Sequence, residues 1–220
     1  AAWRRNNVDL LIGQLSKQIK ALKPHVKFGI SPFGVWRNKS DDPGGSDTRA
    51  GHTSYDDLYA DILSWLDRGW IDYVAPQLYW SIGFDAADYE KLLNWWRFRT
   101  YGKHLYIGHG IYKVNDNFDT NWLEADQIPK QIRMSCKSVM SKGSIHFSSK
   151  PLLKNPLGVA DSLSRYYYKH PTLIPEMASL NLKRPKTPNL KKIKGRGSNS
   201  VELSWKYKVK KREPMPYYFV

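Results

Sequence analysis

Apolar residues in the first stretch of the chain recur at helical spacing. Val8, Leu11, Ile12, Leu15, Ile19 and Leu22 share one face, which predicts an amphipathic helix over 7–23, stopped by Pro24. The period then switches to two. Val26, Phe28 and Ile30 alternate, so 26–31 reads as a short strand ending at Pro32. A polar loop over 37–53 contains Asp41-Asp-Pro-Gly-Gly-Ser46. Ser54 and Asp57 have capping-box spacing ahead of Leu58, Ile62, Trp65 and Leu66, which predicts a second helix ended by Gly69. Residues 71–79 form the next apolar strand. Asp85 is read as the cap of a helix reaching residue 99, with Leu92, Leu93 and Trp96 inward. Strands over 104–108 and 143–147 and helices over 125–142 and 159–168 complete the pattern before Pro171.

Short apolar strands alternating with longer helices argue for parallel β/α units. The pattern fits a doubly wound sheet or a barrel. No Gly-x-Gly-x-x-Gly follows any strand, so a dinucleotide-binding fold lacks its phosphate loop. Composition changes near Asn181. Arg184-Pro-Lys-Thr-Pro188 reads as an extended linker, and 189–193 and 201–205 alternate like strands, with a third opening at 217–220. Two domains are expected. Residues 1–180 hold the β/α units, and 181–220 hold a linker and the start of a fibronectin type III-like β-sandwich. That second domain is read as truncated, because a whole one takes roughly 100 residues.

Charge sharpens this division. The net charge is +15, yet residues 181–220 hold 12 Lys/Arg and 2 Asp/Glu, a net of +10, leaving +5 (15 − 10) for the first 180. That distribution argues against a specific nucleic-acid groove. It marks 183–212 as a stretch that could draw an anionic polymer or surface by long-range attraction. The lone Cys136 excludes an internal disulfide and a Cys-based zinc site, and reads as a buried small apolar residue. His104, His109 and His146 lack metal-ligand spacing, so no metal or other cofactor is expected. No run is long enough for a membrane helix. No signal peptide is visible, and the opening residues read as mid-domain sequence. Many of the nine Trp and fourteen Tyr must be core, and any surplus in loops would suit stacking on sugar rings.

Two runs are distinctive: Phe28-Gly-Ile-Ser-Pro-Phe-Gly-Val-Trp-Arg-Asn38 and Trp70-Ile-Asp-Tyr-Val-Ala-Pro-Gln-Leu-Tyr-Trp80. With Gly45-Ser-Asp-Thr48, Asn94-Trp-Trp96, Leu105-Tyr-Ile-Gly108 and Tyr112-Lys113, they closely resemble the glycosyl-hydrolase-like family ten of bacteria, over 1–178. The resemblance implies a (β/α)₈ TIM barrel of which this chain supplies about the last four units. Trp3-Arg-Arg-Asn-Asn7 would match the turn into the fourth helix. It also implies a glycoside hydrolase, in the cell envelope or secreted, with a sandwich domain commonly following. In one branch of the family the substrate is peptidoglycan glycan stripped of its peptides. The main catalytic carboxylates of such proteins lie on an acidic His-Phe-Asp-Asp-like motif of the fourth strand, which is not in this sequence. A whole barrel takes about 250 residues. The other half is therefore expected to be supplied by another chain or to be missing from the sequence.

Active sites of such barrels sit at the C-terminal ends of the strands. That rule selects Ser31, Phe33, Trp36 and Arg37 after the first strand; Gln77, Tyr79 and Trp80 after the second; His109 and Tyr112 after the third; and Phe147 after the fourth, as substrate-binding candidates. Gln77 needs a partner for its amide, either a sugar hydroxyl or a neighbouring strand. Tyr79 and Trp80 must point to opposite sides, so one of them faces the mouth. Trp36 and Arg37 could form a stacking platform or could anchor their own loop. Glycoside hydrolysis usually needs two carboxyl groups, one of them with a raised pKa. Asp47 is the best local candidate for a catalytic acid. Asp116 and Asp119 read as solvated, and Asp72 lies at the stability end of its strand.

The leading expectation is a glycoside hydrolase acting on a bacterial polysaccharide by carboxylate chemistry. One rival is a non-catalytic carbohydrate-binding barrel. The other is a basic surface-binding module acting through 183–212.

Overall fold

The computed structural model describes residues 1–116, 118–177, 180, 187, 189–197 and 200–206. Helix α1 spans Ala2–Leu22 and closes where the Lys23 N–H reaches the Ile19 carbonyl, just before Pro24. Its inward stripe is narrower than the apolar spacing suggests. Ile12 and Ser16 are buried, whereas Leu11, Leu15 and Leu22 are exposed. Gly13 lets the helix lie close to the indole of Trp70, and Asp9 accepts the Trp65 indole N–H at 2.6 Å.

Five short parallel strands form one sheet: β1 (Gly29–Ile30), β2 (Tyr73–Val74), β3 (Gln77–Leu78), β4 (His104–His109) and β5 (Ser141–His146). Pro76, which has no N–H to give a ladder, separates β2 from β3, so 73–78 acts as one interrupted strand along β4. The strands lie side by side in chain order, β1 to β2/β3 to β4 to β5. A doubly wound sheet would reverse its winding; the described strands do not. Helices α2 (Ile62–Asp67), α3 (Tyr89–Arg97) and α4 (Gln127–Lys137) connect them, followed by α5 (Ser149–Lys154), α6 (Val159–Ser162) and a π-turn at Leu163–Tyr167. This is a mixed α/β fold with a parallel sheet, consistent with part of a TIM barrel.

Register divides the sheet into two faces. Gly29 pairs with Tyr73, Tyr73 with His104, Gln77 with Gly108, and Gly108 with Ile145. Residues that alternate with these, including Val74, Leu78, Leu105 and Ile107, are fully buried and pack with Trp65, Leu66, Tyr89, Leu92 and Trp96 of the helices. The opposite face carries Tyr73, Gln77, Tyr106 and Ile145 and stays partly open, Ile145 being 44% exposed.

Two helix starts differ from expectation. Ser54 and Asp57 do not open a helix: Asp57 folds back on the Thr53 N–H at 2.7 Å and makes a turn, and α2 begins only at Ile62, capped by Asp61. Helix α3 is capped by Asp88, whose carboxylate accepts the Lys91 N–H at 2.9 Å, and not by Asp85, which pairs on the surface with Arg49. Cys136 is exposed rather than buried, because the inward face of α4 is Ile128, Gln131, Ile132 and Ser135.

The chain divides into two compact units, Ala1–Leu180 and Asn181–Val220. The second unit contains an antiparallel hairpin of β6 (Asn189–Gly195) and β7 (Val201–Lys206). The hairpin covers the strands expected at 189–193 and 201–205. Part of the basic stretch 183–212 and the strand expected at 217–220 lie outside the described residues. Among the described residues no helix is long and apolar enough to cross a membrane.

Candidate functional site

Three of the residues selected at strand ends meet. Tyr79 stacks on Phe147 with ring centroids 5.8 Å apart and planes 20° from parallel. Tyr112 stands edge-on to both, at 5.9 Å from Tyr79 and 5.8 Å from Phe147. Each is delivered by backbone. The Phe147 N–H donates to His109 O at 3.0 Å and the Tyr112 N–H donates to Phe147 O at 3.3 Å. Gly110 makes room: a Cβ there would lie 3.1 Å from the Cβ of Tyr79. Phe147 and Tyr112 remain 55% and 48% exposed, so the apolar cluster faces outward at the rim. Burial raises the pKa of both tyrosines above the ordinary value, with the charge of Asp116 adding at Tyr112. Both phenols are therefore hydroxyl donors at neutral pH.

Gln77 lies deeper on the same face of the sheet. Its Nε2 donates to the Ser31 carbonyl at 3.0 Å, and the described residues give its Oε1 no partner. The amide thus takes the neighbouring strand with one end and keeps an acceptor for a hydroxyl with the other. The exposed Ser31 turns its own hydroxyl to Ala75 O at 2.9 Å. Phe33 bridges to Gln77 along the sheet and packs edge-on to Trp80 at 5.3 Å. Tyr79 is therefore the member of the Tyr79–Trp80 pair in the rim cluster, while Trp80 packs against Phe33 and gives its carbonyl to Gln131 Nε2 at 3.0 Å.

Four selected residues stand elsewhere. Trp36 is buried in the core, stacked on Trp95 at 6.0 Å and edge-on to Tyr55, so it offers no free ring face. Arg37 anchors its own loop, pairing with Asp42 at 2.9 Å and Asp56 at 2.8 Å; the Asp56 bond raises its pKa further. His109 has no exposed surface. It points to the helix side, between Gln131 Oε1 at 3.1 Å and Ser144 Oγ at 3.2 Å, and burial holds its pKa at about 3. The alternation of β4 explains this, since Gly108 takes the open face and its neighbour must take the other. Asp47 is exposed and bound to Lys91 of α3 at 2.7 Å. Lys91 holds its carboxyl below the usual range, the opposite of what a proton donor needs, and none of its contacts is with a rim residue.

Other carboxyls do not replace it. Asp61 has its pKa raised by burial, but it caps α2 beside Asp9 and Arg5. Asp72 accepts Lys20 Nζ at 2.6 Å and the Phe28 N–H at 2.7 Å, at the N-terminal end of its strand. Among the described residues no three His, Cys, Asp or Glu side chains are grouped to hold a metal ion.

Sequence reading missed a partly buried polar brace. Asp119, expected to be solvated, accepts the Ser81 hydroxyl at 2.5 Å and the Asn121 N–H at 3.1 Å. Gln127, 3% exposed, accepts the Ile82 N–H at 3.2 Å and donates to Asn121 O at 3.2 Å. A usable signal was present. Asp119 precedes Thr120-Asn-Trp122 as a turn cap would, and two glutamines on the inward face of α4 need buried partners.

Residues 1–124 match the family model described as glycosyl hydrolase-like 10. The chain is 48% identical over 221 residues to "Glycosyl hydrolase YngK" of Bacillus subtilis (strain 168), covering 99% of this chain and 43% of that protein. It is 46% identical over 134 residues to "Glycosyl hydrolase DigH" of Escherichia coli (strain K12), covering 59% of this chain and 30% of that protein. The chain thus spans less than half the length of these curated relatives.

Proposed function

The chain belongs to the glycosyl hydrolase-like 10 family, and on that premise we propose that its open sheet face is the glycan-binding wall of a (β/α)₈ glycoside hydrolase. The observation that carries the proposal is the convergence of Tyr79, Tyr112 and Phe147 at the ends of consecutive parallel strands, with the free acceptor of Gln77 on the same face. Apolar faces of pyranose rings stack on such a cluster, while the phenols and the amide order the hydroxyls. The substrate is a bacterial polysaccharide, with peptidoglycan glycan strands as the specific case, and the protein works in the envelope or outside the cell. Hydrolysis proceeds by carboxylate acid–base chemistry. We assign the acid and base to barrel segments beyond these residues, because no described carboxyl contacts Gln77 or the aromatic cluster.

Gln77→Ala combined with Tyr79→Ala in the complete protein is expected to lower turnover on peptide-free glycan strands by more than about tenfold, through lost positioning. Unchanged kinetics would remove the assignment of the wall. The aromatic cluster, which can hold a sugar whether or not a bond is broken, also suits one second reading, a barrel that binds glycan without cleaving it. Saturable binding with no new reducing ends in the complete protein would establish that reading instead. The basic stretch 183–212 is proposed as a secondary contact with an anionic polymer, and its contribution should fall steeply with salt.

A further inference from the structure

The two tyrosines of the rim cluster lie on two loops. Residues 79–84 carry Tyr79, and 110–126 carry Tyr112. Between the loops lies the Ser81–Asp119 brace. Ser81 is fully buried and has one hydroxyl proton, which it gives to Asp119 at 2.5 Å while accepting the Asn121 side-chain amide at 3.2 Å. The other oxygen of Asp119 accepts the Asn121 N–H at 3.1 Å. One side chain thus ties the two loops together. The Tyr112 turn rests on the same base. Asn115 N–H donates to Trp122 O at 2.9 Å, and Trp122 and Ile111 are 1% and 0% exposed.

We infer that Asp119 is a positioning residue: through Ser81 it holds the Tyr112 loop against Tyr79, and so sets affinity for glycan without touching it. This rests on the aromatic cluster being the glycan wall. A packed ring contact can be displaced by a small shift of its loop, so the effect should appear in binding rather than in the chemical step.

The test uses the complete protein with peptide-free glycan strands. Asp119→Ala and Ser81→Ala should each raise KM about tenfold with kcat within about twofold, matching loss of a positioned aromatic contact. Asp119→Asn, which keeps the shape, should lie between them and wild type. Tyr112→Ala should raise KM by a similar factor, and adding Asp119→Ala to it should cost nothing more. Amide exchange across 110–116 should quicken in Asp119→Ala while that of β4 does not. A Tyr112 effect alongside wild-type KM in both Asp119→Ala and Ser81→Ala overturns this inference alone. So does a fully additive double variant, or a fall in kcat with KM unchanged. No effect of Tyr112→Ala overturns the glycan wall and this inference with it. Unaltered exchange in 110–116 overturns the brace whatever the kinetics.

Discussion

At the scale of single residues, the open face depends on what is left out. A Cβ at Gly108 would lie 2.8 Å from the Pro76 carbonyl oxygen, which itself accepts the Gly108 N–H at 2.9 Å. Because the obstacle is backbone, a methyl group there must push β3 from β4. Gly108→Ala is therefore expected to destabilise the protein by about 1–3 kcal/mol, the usual cost of overpacking, as read from the denaturation midpoint. It should also weaken glycan binding, because Gln77 and Tyr79 ride on the displaced strand. Stability equal to wild type would mean that the sheet adjusts freely at this point. The residue scale is also where sequence reading was least secure. Trp36, Arg37, His109 and Asp47 have the right chemistry near strand ends, yet each faces the core, its own loop or the helix layer.

Elements were legible wherever apolar spacing was strong and local. The strand over 71–79 and the helices around Leu66, Trp96 and Ile132 occur where periodicity places them. Their starts were less so, because several side chains compete to cap one end. Asp85 and Asp88 both stand ahead of α3, and only Asp88 reaches the Lys91 N–H. Asp88→Ala should thus cost about 1 kcal/mol, whereas Asp85→Ala, which loses a surface ion pair, should cost well under that. Chemical denaturation of the two variants decides between the caps; the reverse ranking would restore Asp85.

For the whole molecule, a buried neutral imidazole couples stability to pH. His109 is held neutral down to about 3 by burial, against an ordinary value of 6.5, and His146, stacked on it at 5.4 Å, is shifted the same way. Below 6.5 the unfolded chain binds a proton that the folded one refuses. The contribution of His109 is therefore complete above that pH and declines as pH falls toward about 3. At roughly 1.4 kcal/mol per pH unit, His109 alone should lower stability by about 2 kcal/mol at pH 5. In His109→Gln the fall in unfolding free energy between pH 7 and pH 5 should be smaller than in wild type by about that amount. Equal slopes would show that the imidazole is not held neutral.

From the sequence came parallel β/α units and the approximate strands and helices, read from the order of apolar and polar residues, and the barrel with its strand-end candidates, read from the family resemblance. These depend on neighbours in the chain, on backbone period and on the motifs around Phe28–Asn38 and Trp70–Trp80. Which of those residues meet was settled by tertiary structure. A parallel register places Gln77 beside Gly108 and, through β4, brings Phe147 to Tyr79. The same register sends His109 to the opposite face. The Ser81–Asp119 bond joins residues 38 apart. Such contacts arise from the pairing and packing of whole elements, and a local pattern carries no record of a partner so distant in the chain.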